Sequence, residues 1–472
     1  MVCQHRSAVS HLKRCRALAF CFLTLACSPP VFADGAEGDV AEEISPEMAE
    51  ALARVEQLSA AVDDLAQLGN GWRPEIAESL LSLGRALQTT NDHDAALATL
   101  ERSVHVSRIN HGLFSLEQLP ALQLQVESHL ALGQWDEADG LRQYAFYVQS
   151  RAYGDNDPGM IPALVEYANW HMDAFADRRG EVPVVRLIDA YQLYSVALSI
   201  IDRQENPLQY PKVEYLQQLA FVSWLLHRTQ ALAGSNMAFS EERQVDDTWV
   251  DSLTEQKYRN RNSAFLRGEF ALQEIVEIHE QHVEQAAQDP AMHSDILHQH
   301  VQALLDLADW NLLFERRQAA NTLYRQAWEL LADEGPEVRK SVFDKVVLLP
   351  RFEPRIGPQQ ERDSSSTPER ASAFAPSAGS AGTPVRSNFR DQSPAGYDYV
   401  IMEFDINRYG RATNVNLIDK VPPHDDALKR RMVGALRDAK LRPRILDGEP
   451  VQVTGLLYRF PYEIETQTAV TR

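Results

Sequence analysis

Small residues return at a fixed distance through most of this sequence, and that spacing constrains the fold more than any other feature. From Pro46 to about Glu334, apolar residues recur at intervals of three and four, strand-like alternation is absent, and Gly or Pro falls mainly between periodic blocks. That is the pattern of consecutive amphipathic helices. Met48, Leu52, Val55, Val62 and Leu65 set out the stripe of the first helix. Beyond it, Gly84 stands 12 residues before Ala96 and Val126 stands 12 before Ala138, so both members have moved by 42. Gly133-Gln134-Trp135-Asp136-Glu137 forms the turn of the second pair. Two helices that cross closely need small residues at the crossing and larger apolar groups one turn away, and Leu83, Leu87 and Leu100 supply the latter.

A third hairpin sets Tyr167-Ala168 against Ala190, Tyr194 and Ala197, its turn lengthened around Asp177-Arg178-Arg179-Gly180. The last sets Leu307-Ala308 and Trp310 against Ala320, Tyr324 and Ala327, with the interval of 12 restored. Between Leu219-Ala220 and about Gly268 the register is lost, so four hairpins are placed and one more is expected. Ala308, Ala320, Tyr324 and Ala327 match residue by residue the pattern of the tetratricopeptide repeat (TPR), which this region resembles. The usual unit is about 34 residues, and the longer step here is closer to the longer-helix variants of that family. A generic array of helical hairpins is the other reading, because small residues mark all such crossings. The resemblance implies an all-α TPR-like helical-hairpin solenoid. The inner faces of its first helices, around Leu83, Val126, Tyr167, Trp170 and Trp310, are expected to form a protein-binding groove.

After Glu334 the composition changes. Pro336 interrupts the helix, Val346 to Leu349 reads as a short strand, and Gln359 to Pro394 is dominated by Ser, Pro, Ala, Gly and Arg. Such a stretch cannot bury enough apolar surface to offset its ordering entropy, so residues 351–394 are expected to be a disordered linker. A flexible coil from Gln359 to Pro394 would span roughly 30 to 36 Å and leave the last domain free to search for a partner.

From Tyr399 the period becomes two. Val400, Met402, Phe404 and Ile406 share one face, Asn407-Arg408-Tyr409-Gly410 turns, and Thr413, Val415 and Leu417 continue the core face of a second strand, a β-hairpin with one buried side. Pro422-Pro423 stops it, Asp425 and Asp426 sit where a helix dipole favours carboxylates, and Leu428, Met432 and Leu436 form that helix's buried stripe. In the last strand Val451 and Val453 share one parity and Leu456, Tyr458 and Phe460 the other, which predicts a bulge at Gly455. This small α+β (ββαβ) unit, with Gly410-Arg411 in its first turn and Leu441-Arg442-Pro443 through Asp447-Gly448-Glu449-Pro450-Val451 before its last strand, resembles the TonB C-terminal domain. The resemblance covers about 70 residues and implies a periplasmic, non-enzymatic module. It also implies an edge strand, Val451, Val453, Leu456, Tyr458 and Phe460, able to accept an extended peptide.

At the N-terminus Arg6, Lys13, Arg14 and Arg16 precede an apolar run from Ala17 to Cys27, and Val31-Phe32-Ala33 stands ahead of Asp34. That is the grammar of a signal peptide over residues 1–33, with cleavage expected after Ala33. An uncleaved short anchor and a lipoprotein site at Cys27 are the alternatives. Nothing later is read as long and apolar enough to span a membrane. All four cysteines fall in this segment, so the mature chain is expected to have no thiol for a disulfide, metal or nucleophile. Energy-transducing TonB proteins keep an N-terminal membrane helix, and here a repeat domain fills that space; a TonB-type energy transducer in outer-membrane transport is nevertheless the second functional reading.

The chain as a whole carries 46 basic and 67 acidic residues. Residues 34–350 hold 24 basic and 51 acidic (net −27), and residues 395–472 hold 12 and 11 (net +1). An acidic surface of that size repels nucleic acid and anionic lipid. His279-Glu280-Gln281-His282 lacks the spacing of a metalloprotease helix, and His293, His298 and His300 lack matched ligands. Phosphate-loop, nucleophile-elbow and dinucleotide-binding glycine patterns are absent. The expectation is a periplasmic, non-enzymatic scaffold or adaptor with no cofactor and no metal, whose partners are envelope proteins or peptides. Its domains are 34–350, the linker 351–394 and the module 395–472.

Overall fold

A computed structural model describes residues 45–67, 72–180, 183–233, 247–258, 263–286, 290–350, 383–384, 397–421 and 426–463. The expected signal peptide, nearly all of the expected linker, and Pro422, Pro423 and Asp425 lie outside them. Two compact units divide the chain, Met1–Glu50 and Ala51–Arg472. The first contributes the start of α1 (Pro46–Gln67), where the Ser45 hydroxyl accepts a hydrogen bond from the Met48 amide as a helix cap.

In the second unit Val55, Leu58, Val62 and Leu65 of α1 pack on the first of five helical hairpins among the described residues. These are α2 (Pro74–Thr89) with α3 (His93–His111), α4 (Leu119–Ala131) with α5 (Trp135–Ala152), and α6 (Met160–Ala176) with α7 (Pro183–Asp202). Then come α8 (Lys212–Ala233) with α10 (Ala264–Gln285), and α11 (Pro290–Leu313) with α12 (Arg317–Leu330). The short α9 (Asp247–Leu253) lies inside the fourth hairpin. This insertion is why the small-residue register is lost there: Leu219, Ala220 and Ala271 are fully buried, as in the other units, but are separated by extra chain.

Four of the turns share one geometry. Asn91, Gly133, Arg178 and Glu315 have φ of 59, 73, 54 and 60°, and the next amide bonds to the carbonyl five residues back. The pairs are Asp92 to Leu87, Gln134 to His129, Arg179 to Ala174 and Arg316 to Asn311. This is the Schellman closure of a helix. The crossings repeat as well. Tyr194 donates to Asn169, next to Ala168, at 2.5 Å, and Tyr324 donates to Asp309, next to Ala308, at 2.7 Å. Gly84 lies so close to Leu100 that a Cβ would stand 2.5 Å from its side chain.

One expectation fails in α7. It is long and apolar enough to cross a membrane, yet 83% of its apolar window is buried among the neighbouring helices, which marks it as a core helix of the array.

After α13 (Pro336–Phe343) and β1 (Val347–Leu349) the C-terminal module comprises β2 (Thr383–Pro384), β3 (Tyr397–Ile406), β4 (Ala412–Val421), α14 (Asp426–Asp438), β5 (Lys440–Arg442), β6 (Arg444–Leu446), β7 (Glu449–Val451) and β8 (Val453–Glu463). The main antiparallel sheet has the order β2-β8-β3-β4. Met402, Phe404 and Ile406 bury one face against Met432 and Leu436 of α14. The register slips opposite Gly455, at φ 68°, where its amide bonds to Asp405. Thr413, expected in the core, is exposed and Ala412 is buried instead. Asn414, at φ 51°, donates to Asp405 across a shift between β3 and β4 that moves the parity by one.

The module is not free on a tether. β1 pairs with β5, Val347 opposite Arg442, so strands on either side of the expected linker are joined. Arg442 pairs with the buried Asp309 of α11 at 3.6 Å. Lys440 and Arg411 each reach Glu315 at 2.6 Å, and Arg444 pairs with Asp344. Acids from the helical array thus meet bases from the module, while Arg325 with Glu449 reverses the sense.

Candidate protein-binding groove

The five residues expected to line a groove are core residues. Leu83 and Trp170 are 8% exposed, Val126 and Tyr167 1%, and Trp310 not at all. Their size and apolarity suit them to the crossings, where burial is most complete. The Trp310 indole covers Gly268 and donates to the Phe265 carbonyl at 3.1 Å. Trp170 stacks on Trp135 and donates to Asp139 at 2.7 Å.

The proposed peptide edge is also altered. Val451 belongs to the β6–β7 hairpin, paired with Arg444. Val453, Leu456, Tyr458 and Phe460 lie on β8, paired along one side with β3. On its other side β2 pairs with Tyr458 and Arg459. Among the described strands, β4 is the opposite edge of the sheet.

An open cavity of about 1090 Å³ lies instead along the first two hairpins. From α3 it takes Leu97, Ala98, Glu101, Arg102, His105 and Arg108; from α4, Leu122, Gln125 and His129; from α5, Glu137, Gly140 and Leu141; and Trp72 closes one end. The α-helical period puts Leu97, Ala98, Glu101, Arg102, His105 and Arg108 along one side of α3. Leu122 is fully buried and forms apolar floor, whereas Ala98, Arg102 and Gly140 are exposed. Arg108 is fixed by a bond from Nε to Gln118 at 3.0 Å and by stacking over Tyr144. Trp72, half exposed, meets His105 edge to face at 5.2 Å. Hydrophobic periodicity passes over these residues because it follows buried positions. The signal available was Gly140, a glycine inside a helix with nothing within 4 Å of where its Cβ would lie.

Elsewhere the ionisable groups form internal clamps. Lys212 lies 2.5 Å from Asp202 and 2.6 Å from Glu274, Lys257 lies 2.6 Å from Asp202, and the Tyr258 hydroxyl donates to Asp202 at 2.6 Å. Two carboxylates face two ammonium groups, so the cluster is neutral and ties α7, α8 and α10 together. Burial raises the Asp202 carboxyl, but the bonds from Lys212, Lys257 and Tyr258 outweigh it and hold the group below its ordinary range. Arg186 grips Asp139 through two bonds, at 3.0 and 2.7 Å. Beside them His171 is wholly buried, its Nδ1 lying 3.9 Å from the carboxylate of Asp189, which is buried as well; that is too long for a hydrogen bond. Burial first, then Arg186, lowers its pKa to about 3, so it is neutral in the folded chain. His279 and His282 come within 6.2 Å, ring to ring, yet among the described residues no group of three or more His, Cys, Asp or Glu side chains is placed to hold a metal ion.

No protein-family model matches the sequence, and none of the curated proteins matches it. Among solved structures the chain is similar to the nearly identical TPR-like repeats of a Podosopora anserina kinesin light chain, in two forms. A single-substitution form is 17% identical and the match covers 55% of this chain and 97% of that one, with a TM-score of 0.27. The other is 17% identical over 56% of this chain and 98% of that one, with a TM-score of 0.28. A likeness at that TM-score has no bearing on function, and the hairpin array rests on the repeated turns and crossings above.

Proposed function

We propose that this chain is a non-enzymatic protein-binding scaffold of the bacterial envelope, holding partners on its helical hairpins. The carrying observation is the open groove along α3, α4 and α5, which joins apolar floor, exposed charge and a bare stretch of helix backbone. Extended arrays of this kind act by presenting surface, because each hairpin contacts only its neighbours and leaves long faces uncovered. Export is inferred from the N-terminal residues, and the C-terminal module's likeness to TonB domains suggests a second docking surface on the sheet.

Cell fractionation, N-terminal sequencing and in-cell cross-linking with mass spectrometry test this reading. It expects a periplasmic chain beginning at Asp34, with cross-links to other envelope proteins clustered on residues 72–152. A cytoplasmic chain, or one with cross-links only within itself, contradicts it.

A further inference from the structure

We propose that β2, Thr383–Pro384, is a guard built into the chain: it holds the outer edge of β8 closed, and an extended segment of a partner protein gains that edge only by displacing it. This rests on the reading of the sheet as a docking surface and specifies how that surface is regulated. Among the described strands the sheet can be extended beside β4 or beside β8, and the two sides are unequal. Along β4 the register with β3 slips twice, each time with an extra residue on β4. Ile401 lies opposite Asp419 but Met402 opposite Leu417, and Glu403 lies opposite Asn416 but Asp405 opposite Thr413. Such bulges bend an edge and spoil it as a template for another strand.

β8 is the better template. From Leu456 to Glu463 it runs against β3 in one unbroken register, with Leu456 opposite Phe404 and Glu463 opposite Tyr397, so eight consecutive residues form regular strand. A regular edge of that length offers backbone donors and acceptors to an extended chain laid beside it. β2 meets only two of the eight, near their middle: Thr383 opposite Arg459 and Pro384 opposite Tyr458.

This occupant is weak by composition and strong by position. Proline has no amide hydrogen, so β2 brings the ladder at most one donor, that of Thr383, and a proline on an outermost strand stops a further strand from adding beyond it. A partner strand that pairs with more of Leu456–Glu463 makes more ladder bonds than β2 can. Against that, β2 is tied to the same module on both sides. Only residues 385–396 separate it from β3, and before it β1 is paired with β5. A segment held in this way faces β8 at an effective concentration of roughly millimolar order, which a free ligand has to overcome. A short, donor-poor strand delivered from within the chain therefore excludes weak ligands and yields to long ones.

Disulfide trapping and peptide binding test this on the full chain with Cys3, Cys15, Cys21 and Cys27 changed to serine. Thr383→Cys with Arg459→Cys joins facing positions, whose Cα separation in an antiparallel pair is one that a disulfide spans. Thr383→Cys with Asn416→Cys on β4 is the control. The probe is a fluorescein-labelled synthetic peptide of residues 380–389, followed by anisotropy, and thermal melts verify that the variants fold. The facing pair is expected to oxidise and the control pair to stay reduced, and the oxidised protein should lose the peptide and regain it on reduction. Thr383→Pro, which leaves β2 without an amide donor, should bind the peptide about fivefold more tightly than the parent or better. Equal oxidation of the two pairs, equal peptide binding before and after oxidation, or no binding to Thr383→Pro would overturn the assignment. Those outcomes leave untouched the cross-links expected at residues 72–152, whose absence removes the scaffold reading instead.

Discussion

Arg442 of β5 reaches Asp309 of α11 at 3.6 Å with side chains 6% and 5% exposed, so the C-terminal module is joined to the last hairpin by an ion pair withdrawn from water. The Tyr324 hydroxyl donates to the same carboxylate at 2.7 Å. Removing one partner of a buried pair leaves an uncompensated charge. Arg442→Ala is expected to destabilise the chain by about 3 to 5 kcal/mol in urea unfolding and to expose β1 and β5 to limited proteolysis. Arg442→Met with Asp309→Asn should recover much of that loss, since replacing both members removes the stranded charge. Equal destabilisation in the single and double variants would contradict the pairing.

Gly268 admits no side chain beneath the Trp310 indole. Gly268→Ala gains helix propensity but forces the ring or the helix to move, and overpacking of a core costs about 1 to 3 kcal/mol. A thermal melt of this variant should show a clear loss. Gly140→Ala, where the space is open, should raise stability by about 0.5 to 1 kcal/mol. The opposite signs at two helical glycines separate a packing role from a surface role.

The buried His171 gives the fold a pH dependence. Its pKa falls from 6.5 in the unfolded chain to about 3 in the folded one, so between those values the unfolded chain binds the extra proton. Stability is therefore full above about pH 6.5 and is lost as pH falls towards 3. At about pH 4.5 this one group should account for about 3 kcal/mol of loss, at about 1.36 kcal/mol per pH unit. His171→Leu, unfolded in urea at about pH 7 and about pH 4.5, should lose less stability on acidification than the parent by about that amount. An unchanged difference between the two pH values would refute the neutral, buried imidazole.

The array was legible in the sequence where its crossings are regular. Gly84 with Ala96, Val126 with Ala138 and Ala308 with Ala320 are spaced by a turn of constant geometry, and buried small residues report such geometry directly. The fourth hairpin was illegible because α9 and its flanking chain separate Ala220 from α10. The groove was misplaced for a physical reason. Tyr167, Trp170 and Trp310 are large and apolar, and in a stacked array such residues fill crossings, whereas a binding face keeps what the core does not need, here Ala98, Arg102 and Gly140. The docking of the module escaped sequence reading because Asp309 with Arg442 and Glu315 with Lys440 lie more than a hundred residues apart and follow no period.

If partners are held in the groove of α3, α4 and α5, a photo-reactive residue placed there in living cells should capture them. Ala98 lies inside the groove, and Glu78, on the exposed face of α2, is the matched control. The expected result is a discrete protein adduct at Ala98 that is absent at Glu78 and disappears when Gly140→Leu is added. The same adducts at both positions, or adducts at Ala98 that survive Gly140→Leu, would contradict a partner held in this groove.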